Sequence, residues 1–422
     1  MAQSTIAIII LLAALVLYAI PKMPLSVTTM LAMIAMVVFG ILDFGKVTSG
    51  FANQVVFLNM GMMILGQALV TTGVAQKVGN LINRFNFGKN ETMFMLLVFA
   101  IACALSVVIN GAITVAIMIP IVDAVVLKSE GAISRKNIYM PLGIAGTIGN
   151  NVLTIGATST ITAVALLEEM GYGTLALTAP TLVNLPAVIV VFIMFALFGK
   201  KLQEKWYDFD DIPVVVDESK VSNTAEQPVW KQVVVCVIFV AVVVAMLAGM
   251  NYGYAALIAG TLVMLTGCID EKTAMRSVGW STIIVVAGSI GFSAGIAASG
   301  AGEVIANFFM TISGPLAKTG LGLCFVLFFV SSLISDVMSD NACVAIMLPI
   351  AAAISQASGF NAIPMFLAVC SGTKVGLATP ICVTPMTMVA TAGYRFKDYL
   401  RMGGLVNLIC MIVTTIMIGI IY

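Results

Sequence analysis

Long apolar stretches separated by short polar segments run through almost the whole chain. A bilayer core of roughly 30 Å needs about 20 predominantly apolar residues per helix. Stretches of this kind lie at 4–20, 24–42, 54–73, 138–168, 176–199, 229–250, 254–269, 279–299, 361–394 and 403–421. Their lengths predict an all-α polytopic membrane protein with about ten crossings. We expect the first stretch, which lacks a basic leader, to remain in the mature protein.

Two further apolar stretches, at 92–127 and 321–357, are interrupted halfway by polar residues. Asn110-Gly111 interrupts the first stretch, and the segment 335–341 interrupts the second. Backbone that leaves the helix at membrane depth must be buried in protein or line a water-filled cavity. We interpret both stretches as re-entrant hairpins that enter and leave the membrane on the same side.

The second half of the chain repeats the first. A shift of 227 residues brings 40–43 onto 267–270, and a shift of 229 brings 110–120 onto 339–349. Each half would cross about five times, an odd number, so the second would be inverted relative to the first. The predicted units are a first repeat at 1–199, a linker at 200–228 and a second repeat at 229–422. Their parts are scaffold helices at 1–73, hairpins at 92–127 and 321–357, broken helices at 138–168 and 361–394, and helices at 176–199 and 403–421.

Charged residues indicate how these helices are oriented. If the polar linker faces the cytoplasm, only Lys46 and Lys318 among the basic loop residues fall on the other side. Such an excess of Lys and Arg is typical of cytoplasmic loops. The sequence thus predicts a multi-pass protein of the bacterial inner membrane with both termini extracytoplasmic.

Composition narrows the range of functions. The chain is 61% hydrophobic and 9% charged, which excludes a soluble protein, and its net charge of +1 excludes a basic surface for nucleic acid. It has no histidine, and its eight cysteines show no CxxC spacing. We therefore expect neither a zinc site nor a disulfide framework, and no enzymatic activity.

Polar breaks within apolar stretches are the candidate sites of chemistry. Besides the hairpin tips, the predicted broken helices are interrupted at 149–160 and 379–387 by Asn, Gly, Thr and Pro. Unwound backbone there can offer carbonyl oxygens to a cation and helix N-termini to an anion. The alternative is that these small residues only allow close helix packing.

Three ionisable residues, Asp336, Asp340 and Lys374, lie within the predicted membrane region. A charge there costs several kcal/mol on insertion scales, so we expect Lys374 to pair with Asp340. The pair is either a permanent structural feature or a substitute for a bound cation in the second half, which would make transport proton-coupled, exchange-based or dependent on fewer sodium ions. Asp123 and Glu168 lie near span ends and are expected to reach solvent.

The breaks resemble those of the divalent anion/sodium symporter family of the ion transporter superfamily. Typical members carry Ser-Asn-Thr at each hairpin tip, ten residues before a proline, and a Thr-Pro-Pro-Asn stretch in each broken helix. The corresponding segments here are Asn110-Gly111-Ala112 before Pro120, Ser339-Asp340-Asn341 before Pro349, Gly156-Ala157-Thr158-Ser159-Thr160, Val383-Thr384-Pro385-Met386-Thr387 and the ending 392–403. The resemblance implies sodium at the hairpin tips, a carboxylate substrate, an elevator mechanism and a homodimer.

The breaks and the resemblance together give two sets of candidate residues. Those expected to contact substrate are Asn110, Gly111, Ala112, Thr158, Ser159, Thr160, Ser339, Asp340, Asn341, Thr384, Pro385 and Thr387. Those expected to bind or couple an ion are Ser106, Asn110, Asn150, Asn151, Gly156, Ser335, Asp336, Asp340, Lys374 and Thr379. No cofactor is expected apart from sodium.

The sequence thus predicts a secondary active transporter of a small organic anion, such as a di- or tricarboxylate. Transport would be coupled to sodium or protons, or would occur by exchange. The alternative within the same superfamily is a cation/proton antiporter, or a transporter of an inorganic oxyanion or metalloid, with Asp340 and Asp336 as its titrating pair. A channel is disfavoured because the polar breaks form symmetric hairpins rather than a continuous pore.

Overall fold

A computed structural model of the chain describes residues 2–20, 23–74, 90–129, 131–154, 158–169, 171–173, 175–211, 228–336, 340–379 and 383–422. Helices make up most of these residues, and no strand occurs among them. The predicted all-α class is therefore confirmed.

The helices are numbered here in chain order, apart from short turns such as Phe44–Val47 and Ser49–Ala52. They are α1 (Gln3–Ala19), α2 (Leu25–Val38), α3 (Gln54–Thr71), α4 (Glu91–Val108), α5 (Gly111–Lys128), α6 (Arg135–Gly149), α7 (Thr158–Glu169), α8 (Ala179–Trp206), α9 (Val229–Leu247), α10 (Tyr252–Leu265), α11 (Glu271–Ser277), α12 (Trp280–Ala298), α13 (Ala301–Ser313), α14 (Gly320–Ser335), α15 (Asp340–Ser358), α16 (Ala362–Lys374), α17 (Thr384–Val389) and α18 (Phe396–Ile421).

Within the described ranges, six helices are long and apolar enough to cross a membrane: α4, α8, α9, α12, α15 and α18. Shorter apolar helices account for the other predicted spans. The exposed face of α9 is apolar: it carries Val233, Val237, Val240 and Val244, each of which is more than half exposed. A valine stripe of this kind is stable against lipid and unfavourable in water. The chain is a multi-pass membrane protein.

Helices in the two halves begin at corresponding positions. Arg135 of α6 and Ala362 of α16 are 227 positions apart, and Gly111 of α5 and Asp340 of α15 are 229 apart. Matching helices also pack crosswise: α2 contacts α12 as α10 contacts α3, and α7 contacts α16 as α17 contacts α6. Residues from the two halves are therefore interleaved throughout the molecule.

A proline near the start of α6 shapes its surroundings. Pro141 has no N–H, so it cannot bond the carbonyl of Asn137 one turn earlier. The side-chain amide of Gln203 donates to that carbonyl at 2.9 Å and is fully buried. Next to it, the Tyr394 hydroxyl donates to the Lys136 carbonyl at 2.5 Å and accepts from the Met140 N–H at 2.8 Å. Residues from α8 and from the second half therefore complete the hydrogen bonding of α6.

The helix that precedes the predicted linker extends past residue 200. It continues through a π-helical turn at Phe195–Gly199 to Trp206, and Gln203 of this extension lies beside α6. The residues that follow also bind α6: the carboxylate of Asp211 accepts from the N–H groups of Arg135 and Lys136 at 3.1 and 3.2 Å. Residues 212–227 lie outside the described part of the chain.

Asp123 and Glu168 are both partly exposed, and each is also held by other side chains. Asp123 lies within α5 and forms an ion pair with Arg135 Nε at 2.9 Å. It also accepts from the Tyr139 hydroxyl at 2.6 Å. The carboxylate of Glu168 is hydrogen-bonded to the amide of Gln54. Both acids are fixed by residues distant in sequence, which apolar periodicity cannot reveal.

Replacing Gln203 by Ala should destabilise the protein. The buried Asn137 carbonyl would lose its donor, and an unsatisfied buried group of this kind costs about 1–3 kcal/mol. We expect a lower apparent Tm for Gln203→Ala in thermal unfolding of the detergent-purified protein. The exposed neighbour Glu204 supplies the control, Glu204→Ala. An equal Tm for the two variants would contradict this role of Gln203.

Candidate functional site

A cavity of about 240 Å³ lies where the two predicted hairpin tips meet. Residues from both halves surround it: Met63, Asn110, Gly111, Ala112, Gly146, Thr147, Asn150, Thr282, Asp340, Asn341, Lys374, Val383, Thr384 and Pro385. Most of these residues belong to broken elements, while Met63 and Thr282 come from α3 and α12. The cavity is therefore enclosed between the hairpin tips and two continuous helices.

The first tip is held by a helix cap and a close backbone approach. Asn110 caps α5, since its side-chain oxygen accepts from the Ala112 N–H at 2.9 Å. This bond leaves the N–H donors of its amide as the groups able to contact a ligand. A Cβ on Gly111 would lie 2.1 Å from the Gly146 carbonyl oxygen, so only glycine fits there. The N-terminus of α5 is thereby packed directly against α6.

The second tip carries the ion pair expected from the sequence. Lys374 Nζ lies 2.6 Å from Asp340 Oδ2, and the two side chains are 9% and 14% exposed. Asp340 begins α15, where the positive end of the helix dipole also favours a carboxylate. Each partner therefore neutralises the other in a site that is mostly removed from solvent.

In both halves a serine just before the hairpin tip bonds to the predicted broken helix. Ser106 donates to the Ala145 carbonyl at 3.3 Å, and Ser335 donates to the Thr373 carbonyl at 2.6 Å. Each serine also faces a glycine: added Cβ atoms on Gly149 and Gly376 would lie 2.3 and 2.9 Å from the respective serine oxygens. Ser106 and Ser335 thus have a positioning role in the structure.

Two side-chain oxygens at the first break have no hydrogen-bond partner in the described part of the chain. α6 ends at Gly149, and the break is held by α8, where Asn184 donates to the Asn151 carbonyl at 3.1 Å and Thr181 donates to the Val152 carbonyl at 2.7 Å. The side-chain oxygens of Asn150 and Asn151 are buried, and no described residue donates to them. Buried acceptors without donors are suited to a cation.

The second break is held by a carboxylate instead. Asp336 Oδ1 accepts from the Ala378 N–H at 3.1 Å, and its backbone carbonyl accepts from the Thr379 hydroxyl at 2.9 Å. Asn407 of α18 accepts from the Leu377 N–H at 3.2 Å. Asp336 therefore stabilises unwound backbone, whereas Asp340 forms an ion pair with Lys374. The two carboxylates thus have different structural roles.

The structure brings together part of each predicted set. The predicted residues that line the cavity are Asn110, Gly111, Ala112, Asn150, Asp340, Asn341, Lys374, Thr384 and Pro385. Those that do not line it are Ser106, Asn151, Ser159, Thr160, Ser335, Asp336, Thr379 and Thr387. Gly156, Ser339 and the side chain of Thr158 lie outside the described residues.

Several residues at the site were not predicted. Asn184 and Asn407 hold the breaks, and each is a polar residue within an apolar span, a signal that was available in the sequence. Thr282 and Met63 lie in continuous helices, and nothing in the local sequence distinguishes them. A second cavity of about 170 Å³ shares Met63 and Asn110 with the first and extends between α3 and the first tip.

The arrangement suits a small anion together with a cation. Amide and hydroxyl donors, the Lys374 ammonium and the N-termini of α5 and α15 can all interact with negatively charged oxygens. The buried amide oxygens of the first break can coordinate a hard cation such as sodium.

The chain resembles known transporters in sequence. Residues 14–372 match the profile of the citrate transporter family, CitMHS. The chain is 26% identical over 162 residues to probable sodium/sulfate cotransporter 3 of Chlamydomonas reinhardtii, which covers 38% of this chain and 18% of that protein. It is 22% identical over 432 residues to the sodium-dependent dicarboxylate transporter SdcS of Staphylococcus saprophyticus, covering 94% and 82%. For the first relatives it matches, which include this cotransporter, the chain spans less than a third of the relative's length.

Among solved structures, Neisseria gonorrhoeae MtrF, described with a class of antimetabolite efflux pumps, has a TM-score of 0.60. It is 12% identical in sequence, and the match covers 100% of this chain and 95% of that one. At this identity the match concerns the fold alone, and the fold is that of a membrane transporter. With the family profile covering most of its length, the chain belongs to the citrate transporter family.

Proposed function

We propose that this protein is a secondary active transporter of a small organic anion of the di- or tricarboxylate class. The cavity formed by both hairpin tips carries this proposal, since two long helices begin there and Lys374 and several amides supply further donors. Its volume of about 240 Å³ suits a small acid, since it is below the roughly 300–1,000 Å³ of drug-sized sites. The similarity to a sodium-dependent dicarboxylate transporter supports the same substrate class.

An inorganic oxyanion such as sulfate is the second candidate substrate. The similarity to a sodium/sulfate cotransporter favours it. Neutral donors and helix N-termini bind carboxylate and sulfate oxygens alike, so the chemistry of the site accepts both. The length of the substrate would decide, because a dicarboxylate can reach both tips at once.

Sodium is the coupling ion that the first half supports best. The side-chain oxygens of Asn150 and Asn151 are buried and have no donor among the described residues, and they lie next to backbone that has left the helix. In transporters that have broken helices, unwound backbone carbonyls and helix C-termini coordinate sodium, and the amide oxygens beside this break are further uncharged oxygen ligands. Sodium bound there would place a positive charge beside the anion, so that each ligand favours binding of the other.

A cation/proton antiporter is less consistent with the geometry. That function would require Asp336 and Asp340 to act as a titrating pair. Asp336 instead accepts a hydrogen bond from the backbone of the second break, and Asp340 forms an ion pair with Lys374. The two carboxylates thus have separate partners.

Transport would proceed by an elevator movement of the two tips and the broken helices. These elements carry the cavity, while α3 and α12 contribute only Met63 and Thr282 to its wall. We propose that α3 and α12 stay fixed and that the two halves are inverted repeats, in agreement with their crosswise packing. Both openings of the site would then be related by symmetry.

Purified protein in proteoliposomes should take up a labelled di- or tricarboxylate when an inward sodium gradient is imposed. Asn341→Ala removes an amide from the cavity, and losing one hydrogen bond to a charged ligand costs about 1.5–3 kcal/mol. We expect KM to rise by about tenfold or more. Initial rates measured with citrate, succinate and sulfate give the substrate order.

The matched control for this experiment is Asn307→Ala, since Asn307 is an exposed asparagine of α13, distant from the cavity. Its KM should equal that of the unmodified protein. If no anion is taken up under any gradient, or if the two variants behave alike, the anion site proposed here is wrong.

The elevator movement predicts a labelling pattern. A single cysteine introduced at Thr384, in protein whose native cysteines have been replaced, should react with a membrane-impermeant maleimide from either side of the membrane. Substrate should slow both reactions. Labelling from one side only, under all ion and substrate conditions, would exclude the movement.

A further inference from the structure

We infer that the Lys374 ammonium is a built-in cation that takes the place of a bound sodium ion in the second half of the site. The inference rests on the proposed function, because it concerns the ions that accompany the anion. Its consequence is that sodium binds in the first half alone, so that the protein carries one sodium ion fewer than two equivalent halves would bind.

Equivalent frameworks in the two halves make the comparison possible. Each tip is tied to the next helix by a serine bond to a carbonyl, from Ser106 in the first half and Ser335 in the second. A glycine packs against each serine, and matching helices begin 227 to 229 positions apart. A difference in charge between the halves is therefore a difference in side chains on one common framework.

Lys374 occupies the position that Thr147 occupies in the first half, 227 residues earlier, and both line the cavity. The Thr147 hydroxyl donates to the Gly143 carbonyl of its own helix at 2.8 Å. The Lys374 ammonium instead extends to the tip of its own half and lies 2.6 Å from Asp340. A fixed positive charge is thus present between the second tip and its broken helix.

Asp340 explains why this charge is tolerated. It stands 229 positions after Gly111, where the first half has no side chain at all. The carboxylate and the ammonium neutralise each other, and both are mostly buried. The ammonium already occupies Asp340 Oδ2 at 2.6 Å, so a sodium ion could bind this carboxylate only by displacing Lys374 from it.

The first half has acceptor oxygens where the second half has a cation. Its tip is neutral, and the side-chain oxygens of Asn150 and Asn151 are buried and have no donor among the described residues. Asn150 also lines the cavity. No cationic side chain of the first half lines the cavity among the described residues. The first half thus has acceptors and no cation, whereas the second half has a cation that is already paired with Asp340. One mobile ion therefore belongs to the first half and one fixed charge to the second.

The test counts sodium ions bound per protomer with ²²Na⁺ at pH 8, in purified protein without substrate. Lys374→Thr reproduces the residue of the first half and leaves Asp340 without its partner. We expect this variant to bind one sodium ion more than the unmodified protein. Lys374→Arg, which keeps a positive charge, and Lys272→Thr, which removes an exposed lysine, should leave the count unchanged.

A difference of zero between Lys374→Thr and the unmodified protein overturns the inference. If Lys374→Thr does not fold, the count for the unmodified protein decides: at most one ion agrees with the inference, and two or more contradict it. The proposed function fails separately, since a count of zero in the unmodified protein contradicts the sodium site of the first half. A gain of one ion in Lys374→Thr would still support the role of Lys374 in that case.

Discussion

Backbone groups that leave a helix inside the membrane must find partners within the protein, because lipid offers none. This constraint organises the structure around its cavity. The first break is held by Asn184 and Thr181, the second by Asp336 and Asn407, and the gap made by Pro141 is closed by Gln203. Among the described residues, the amide oxygens of Asn150 and Asn151 beside the first break have no donor, and Asn150 lines the cavity. Binding capacity is expected where a protein leaves such polar groups unpaired.

The two halves meet this constraint with the same backbone and different charges. Serine–carbonyl bonds and close-packed glycines recur in both, so the common framework is set by sterics and hydrogen bonding. The second half adds a carboxylate that holds unwound backbone and an ion pair at its tip. The two halves thus share these hydrogen bonds and close-packed glycines and differ in their charged side chains.

Much of this could be predicted from the sequence, and the rest could not for definable reasons. The all-α class, the positions of the breaks and the pairing of Lys374 with Asp340 follow from apolar length and from the cost of burying charge. The extension of α8 to Trp206 was not predicted, because Gln203 pairs with a carbonyl 66 residues away. The partners of Asp123 were not predicted either, because Arg135 and Tyr139 lie in the next helix. Thr282 enters the site through packing between the halves, which a single sequence does not display.

The Tyr394 hydroxyl bridges the Lys136 carbonyl and the Met140 N–H, a span of more than 250 residues. During synthesis, α6 enters the membrane long before Tyr394 leaves the ribosome. Until then, the Met140 N–H and the Lys136 carbonyl can bond each other, as positions i and i−4 of an ordinary helix do. Tyr394 adds a bridge between these two groups, so the first turn of α6 reaches its final hydrogen bonding only when nearly the whole chain has been made.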